Sequence, residues 1–208
     1  MANIRIVKDE KFGELIKNFY TYLIESKQEY LSLFSKLQIQ IEGWFRGELM
    51  NYLVHHNIGM STENREIRIS ENSRRKVDFK IEIDNEFYWI ELKHILVGYQ
   101  IEQPISLDFY FKDKTYISTD IEKIGSIEPH DERQHGYSLV FISTNYTKKG
   151  IKTSPLKCII TEENLDGKIE EILKTHQNLE VKVTSETSSY NEELHFGYLL
   201  LEIMNNNK

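Results

Sequence analysis

Apolar and polar residues alternate with period two along one stretch of the chain, Lys76 to Lys93. Its first arm sets Val77, Phe79, Ile81 and Ile83 on one face and Lys76, Asp78, Lys80 and Glu82 on the other. Its second arm sets Tyr88, Ile90 and Leu92 against Phe87, Trp89, Glu91 and Lys93. Asp84-Asn85 between the arms is a turn signal, so the stretch predicts a β-hairpin. A loop centred on that pair puts Phe79 opposite Ile90, Ile81 opposite Tyr88 and Val77 opposite Leu92. The same register sets Asp78 opposite Glu91, with Cβ atoms about 4.5–5.5 Å apart. Lys93 follows two residues along on that face. A one-residue slip would scramble both faces and is disfavoured wherever one face is buried.

Steps of three and four mark helices before the hairpin. Over residues 9–26 they pick out Phe12, Leu15, Ile16, Phe19, Tyr20 and Leu23. Over 28–56 they pick out Phe34, Leu37, Ile41, Trp44, Phe45 and Tyr52, as one long helix or two abutting ones, with Glu48 inside the stripe. A carboxylate on an apolar face is costly unless paired or metal-bound. Glu48 therefore reads as a site residue or as half of a buried pair with Arg46, Lys93 or a tyrosine hydroxyl. His55 and His56 close the helix, where cationic side chains suit the dipole.

Residues 65–70 predict a short strand leading into the hairpin, and the second hairpin strand runs on towards Gly98. Residues 99–117, broken by Pro104, leave helix and strand both open. Their aromatics read as core or as a platform for stacking bases. A helix is expected from an N-cap at Ser118 or Thr119, then a loop over 127–136 carrying His130 and His135. Tyr137–Ser143 is a continuous apolar run and predicts a buried central strand. Further elements are a strand over 157–161, a helix over Leu165, Ile169, Ile172 and Leu173, and strands over 179–187 and 194–204. Glu192 and Glu193 fall in the loop between those strands, and a frayed tail is expected at 205–208.

The chain has 208 residues, 39% hydrophobic, 28% charged and 12% aromatic. That describes one globular domain rather than a disordered chain. A single cysteine, Cys158, allows no internal disulfide and no cysteine metal cluster, which fits a reducing cytoplasm. No apolar run approaches the length of a membrane span and no signal h-region is visible, so a soluble cytoplasmic protein is expected. The net charge of −7 runs against the basic footprint of a nucleic-acid binder, although local patches matter more than totals. The best such patch is Arg74-Arg75-Lys76, which reads as a phosphate contact or as a solvated strand entry.

Two carboxylates set opposite each other repel, so folding alone gives no reason for Asp78 and Glu91. A divalent cation would turn the repulsion into a binding site, since Mg²⁺ takes one or two carboxylates with waters and substrate phosphates. A lysine beside it could orient or deprotonate a water, or offset charge on a phosphate. Together these supply metal-assisted phosphodiester hydrolysis.

Asp78, twelve intervening residues, then Glu91-Leu92-Lys93 resembles the motif of the PD-(D/E)XK nuclease superfamily, with Val77 in place of the proline. The resemblance covers roughly residues 37 to 145 and includes the order helix, strand, strand, strand. It implies a restriction-endonuclease-like α/β fold, a central mixed β-sheet flanked by helices. The whole chain, 1–208, would form that single domain, with N-terminal helices over 9–56, a motif core over 65–145 and a C-terminal region over 157–204. It further implies a Mg²⁺-dependent nuclease, with Mn²⁺ as substitute, acting on nucleic acid and most readily DNA. By the same resemblance Asp78 and Glu91 bind the metal with the Leu92 carbonyl, Glu48 is an outer ligand, and Lys93 handles the attacking water. Lys123 would face the phosphate backbone with Arg74 and Arg75. A homodimer or partner protein is left open. So is a binding module that keeps the fold without cutting, or an unrelated α+β domain whose hairpin merely places Asp78 opposite Glu91.

Overall fold

The computed structural model describes residues 10–37, 39, 41–58, 65–70, 73–100, 103–105, 107–112, 116–127, 133–145, 162–174, 176–189 and 195–205. The strand expected over 157–161, Cys158, His130, Glu192 and Glu193 lie outside them.

Three helices come first: α1 (Glu10–Ser26), α2 (Gln28–Leu37) and α3 (Glu42–His55). Then follow β1 (Arg65–Arg68), β2 (Lys76–Ile83), β3 (Glu86–Gln100), β4 (Gln103–Ile105), α4 (Leu107–Tyr110), α5 (Tyr116–Gly125), β5 (Gln134–Asn145), α6 (Glu162–Leu173), β6 (Leu179–Ser189) and β7 (His195–Asn205). The strands form one seven-stranded mixed sheet in the order β1-β2-β3-β5-β7-β6, with β4 folded back on β3. Among the described residues only β3 and β5 run parallel; the other pairs are antiparallel. The fold is α/β, a mixed sheet between two helical layers. No helix among the described residues is long and apolar enough to cross a membrane.

The hairpin has the expected register: Phe79 pairs with Ile90, Ile81 with Tyr88 and Ile83 with Glu86. Asp84 and Asn85 both take positive φ, 53° and 66°. That is the conformation of a two-residue I′ turn, whose twist matches the flanking strands. Val77 departs from the expected face. The β2–β3 ladder ends at Phe79–Ile90, and Val77, still paired to Ile67 of β1, packs with the opposite core.

Both sheet faces are buried. On one, α1 to α3 cover Phe79, Tyr88, Ile90, Leu92, Leu139, Phe141, Tyr198 and Leu200. Phe45 of α3 stacks flat on Phe141, ring centres 4.2 Å apart. On the other, α5 and α6 cover Trp89, Ile95, Val97, Val140, Ile142, Leu199 and Leu201. Burial on both sides explains why β5 reads as a continuous apolar run rather than an alternating one. The hairpin's second face is interior as well: Trp89, Asp78 and Glu91 are all buried.

Residues 28–56 form two helices, one of the two arrangements expected, but the stripe shifts within them, and one helix boundary moves. Leu37 is exposed and Leu31 and Ser35 are buried, because the helix breaks between α2 and α3 and the stripe does not continue across the break. Helix α5 starts at Tyr116, ahead of the expected cap at Ser118 or Thr119, since Ile117 joins Ile121 and Ile124 in the core. Tyr110 and Phe111 are core, whereas Phe109 and Tyr116 remain exposed. Helix α5 lies close on β5 at Gly136, where any Cβ would overlap Ile124 Cγ2.

Candidate functional site

Along β3 the residues facing α5 run Trp89, Glu91, Lys93, Ile95 and Val97. Apolar residues at both ends of this row are core, and the two charges interrupt it. They sit where β2 parts from β3. At that point the side chain of Asp78 stands in for a ladder bond: its Oδ2 accepts the backbone N–H of Leu92 at 2.8 Å. Extending the register one step past Phe79–Ile90 brings Asp78 to Glu91, and the two repel.

Both helical layers send side chains to this point. From α3, Arg46 reaches Asp78 Oδ1 at 3.0 Å and also holds Glu42, its neighbour one turn back. From α5, Lys123 Nζ lies 2.5 Å from Glu91 Oε1. Lys93 Nζ lies between Asp120 Oδ2 at 3.6 Å and Glu42 Oε2 at 3.8 Å. Among the described residues four carboxylates thus meet three cations. Asp78, Glu91 and Asp120 are 8%, 5% and 3% exposed.

Burial sets the electrostatics. It pushes the carboxyls of Asp78 and Glu91 above the usual range, with the Leu92 N–H and Arg46 opposing at Asp78 and Lys123 opposing at Glu91. Asp120 is pushed up to about 7, again chiefly by burial, against the pull of Lys93. Burial also works to lower Lys93, but Asp120, Glu42, Glu91 and Asp78 together outweigh it and raise its pKa. Lys93 is therefore an ammonium at neutral pH, a donor and a charge rather than a base.

Asp78, Glu91, Lys93 and Lys123 come together. Glu48 does not join them: it is held by Lys27 at 3.2 Å and the Tyr22 hydroxyl at 3.3 Å, so a tyrosine and a lysine from α1 and its C-terminal end satisfy it. The α3 carboxylate at the cluster is Glu42. Arg75 pairs across to Glu122 of α5 at 3.1 Å, and Arg74 is exposed beside it. His55 and His56 bond back to the carbonyls of Asn51 and Tyr52, both at 2.8 Å, ending α3. His135 stacks on Tyr88.

Sequence reasoning missed Glu42, Arg46, Asp120 and His94. The Glu42–Arg46 spacing at a helix start was one available signal. Asp120 among Ile117, Ile121 and Ile124 was another, a carboxylate on an apolar stripe. His94, buried, takes the N–H of Ile41 on Nδ1 at 3.1 Å and meets Ser143 Oγ with Nε2 at 2.8 Å. Nδ1 is thus the acceptor and Nε2 carries the proton. This fixes the start of α3, and with it Glu42 and Arg46, over β3.

Among the described residues no three His, Cys, Asp or Glu side chains stand ready as a cation cage, and ammonium and guanidinium groups pair with the clustered carboxylates. The donors nonetheless fit a hard divalent ion. They are carboxylate oxygens, and Glu91 Oε2 is buried with no hydrogen-bond partner. Such an orphan is costly unless a donor, a water or a cation meets it. Comparison with family models, with curated proteins and with solved structures gives no significant match.

Proposed function

We propose that the chain is a metal-dependent nuclease of restriction-endonuclease-like type, hydrolysing phosphodiester bonds. The observation that carries the reading is the convergence of Asp78 from β2 with Glu91 and Lys93 from β3 in one buried cluster, Glu91 Oε2 unpartnered. The element order α3, β1, β2, β3, α5, β5 supports it, as does the hairpin register.

Asp78 and Glu91 would hold Mg²⁺ or Mn²⁺, which when bound polarises the phosphate and acidifies a water. The remaining roles belong to the chain. Lys93, kept protonated by four carboxylates, orients the attacking water through its N–H donors and offsets charge on the phosphate. Asp120 and Glu42 aim that ammonium. Asp78 keeps its orientation through the Leu92 N–H. Arg74 and Arg75, exposed by the α5 rim, face an approaching phosphate backbone. DNA as substrate follows from the resemblance alone.

A second reading, a binding module that never cuts, draws on the near balance of four carboxylates against three cations, each carboxylate already facing a cation without metal. Cleavage of supercoiled plasmid and single-stranded DNA separates the two. Mg²⁺- or Mn²⁺-dependent cutting, lost in EDTA and in Lys93→Ala, is expected. Absence of cutting by wild type on both substrates would favour the binding module, and cutting that survives Lys93→Ala would overturn the assigned centre.

A further inference from the structure

Three cations lie in this cluster, and the proposed chemistry uses only Lys93. Arg46 and Lys123 are the other two, and they come from opposite helical layers. Each is bound to one of the two carboxylates that the proposed function gives to the metal: Arg46 to Asp78 Oδ1 at 3.0 Å, Lys123 to Glu91 Oε1 at 2.5 Å. Neither is an exposed surface residue with freedom to choose partners. Arg46 is also tied to Glu42, and its Nε is buried with no hydrogen-bond partner. Lys123 is largely covered where α5 closes on β3.

Without these two groups, Asp78, Glu91, Asp120 and Glu42 would face one another with only Lys93 between them. Unpaired buried charge of that kind destabilises a fold strongly. A metal-dependent site must survive before its metal arrives, and here the protein supplies the positive charge itself. A metal entering at Asp78, or at Glu91 through its unpartnered Oε2, meets a side-chain cation already on the same carboxylate, and the two positive charges repel. We propose, resting on the metal-dependent reading above, that Arg46 and Lys123 are internal counter-ions that occupy the two ligand carboxylates until a divalent cation displaces them. Metal loading is then an exchange of cations, and its affinity is set by how tightly Arg46 and Lys123 hold on.

The sign of this effect separates it from a bracing role. A side chain that merely braces a ligand weakens metal binding when removed. A counter-ion that competes strengthens it. The probe is Mn²⁺ itself, titrated into EDTA-stripped protein and followed by loss of the paramagnetic resonance signal of free aqueous Mn²⁺. Arg46→Gln and Lys123→Gln are each expected to bind about tenfold tighter than wild type, the size of change that removing one close, partly buried charge produces. Arg46→Lys, which restores the charge, returns the affinity towards wild type, and Asp78→Asn loses binding.

If Arg46→Gln does not fold, Lys123→Gln decides alone, since it touches the other carboxylate from the other layer. Glutamine variants that bind Mn²⁺ no tighter than wild type, with binding still dependent on Asp78, would overturn the exchange and leave the nuclease reading standing. Absence of Asp78-dependent binding in wild type and in the Arg46→Gln/Lys123→Gln double variant would overturn both. Binding that emerges only in the glutamine variants would support the exchange most directly.

Discussion

Asp78 Oδ2 accepts the backbone N–H of Leu92 at 2.8 Å, across the gap where β2 and β3 stop pairing. A carboxylate that the strand pattern sets against Glu91 in mutual repulsion is therefore also a structural bond between the strands. Its second oxygen holds Arg46. Removing it has two opposed effects, relief of repulsion from Glu91 and loss of both bonds. The bonds win, because an orphaned buried N–H and a guanidinium left with Glu42 alone cost more than two partly screened carboxylates gain. Asp78→Ala is expected to lower stability by about 1–3 kcal/mol in urea unfolding with EDTA present. A variant as stable as wild type would mean that relief of the Glu91 repulsion offsets both lost bonds.

Glu42 and Glu48 lie on the same helix and have different expected fates. Glu48 is satisfied by Lys27 and Tyr22, and its hydrogen bond, followed by that of Tyr22, raises the Lys27 pKa. Glu48→Gln should cost about 1 kcal/mol or less and leave metal-dependent cleavage within about twofold, roughly 0.4 kcal/mol of barrier. Glu42 helps aim Lys93, and Glu42→Gln should slow cleavage about tenfold, near 1.4 kcal/mol. Parallel rate measurements decide the assignment; the reverse ranking would return the α3 role to Glu48.

The same pair shows what was legible in the chain and what was not. Period two over Lys76–Lys93 and the Asp84-Asn85 turn determine the hairpin register locally, and with it Asp78, Glu91 and Lys93. The central strand and the two C-terminal strands were legible for the same reason, since their patterns are local. Which helix carboxylate arrives at the hairpin depends on how α3 lies over the sheet, and that is set by Phe45 on Phe141 and by His94 on Ile41, contacts distant in sequence. Glu48 sits on the apolar stripe and drew the reading; Glu42, at the helix start, is the one delivered. Asp120 stayed hidden because its burial needs α5 to lie close on β5 at Gly136.

Asp120 gives the site a pH signature. Its folded pKa, about 7, lies above the unfolded value of about 3.9. Between those values the folded state binds more protons than the unfolded one, so stability falls as pH rises through that window. Asp120→Asn cannot ionise and escapes the loss. Relative to wild type it should gain stability from pH 5 to pH 8, by at most about 1.4 kcal/mol per pH unit up to the folded pKa. Urea midpoints at the two pH values test this. A difference that stays constant would show that Asp120 ionises as freely in the fold as in the unfolded chain.

His94 has the opposite signature. Burial lowers its pKa to about 3, and its bonds need the neutral ring: Nδ1 accepts from Ile41 while Nε2–H donates to Ser143 Oγ. The unfolded imidazole titrates near 6.5, so below that pH the unfolded state takes up a proton that the folded state refuses. Stability from this group is complete above about pH 6.5 and is lost as pH falls towards 3, by about 1.4 kcal/mol per unit. Because Asp78, Glu91 and Asp120 act in the other direction over part of this range, the wild-type profile alone does not isolate it. His94→Gln does, since an amide can accept from Ile41 and donate to Ser143 without titrating. It should flatten the acid limb of the stability curve by that slope while leaving cleavage at neutral pH measurable. An unchanged acid limb would mean that the start of α3 opens to water and lets His94 protonate in place.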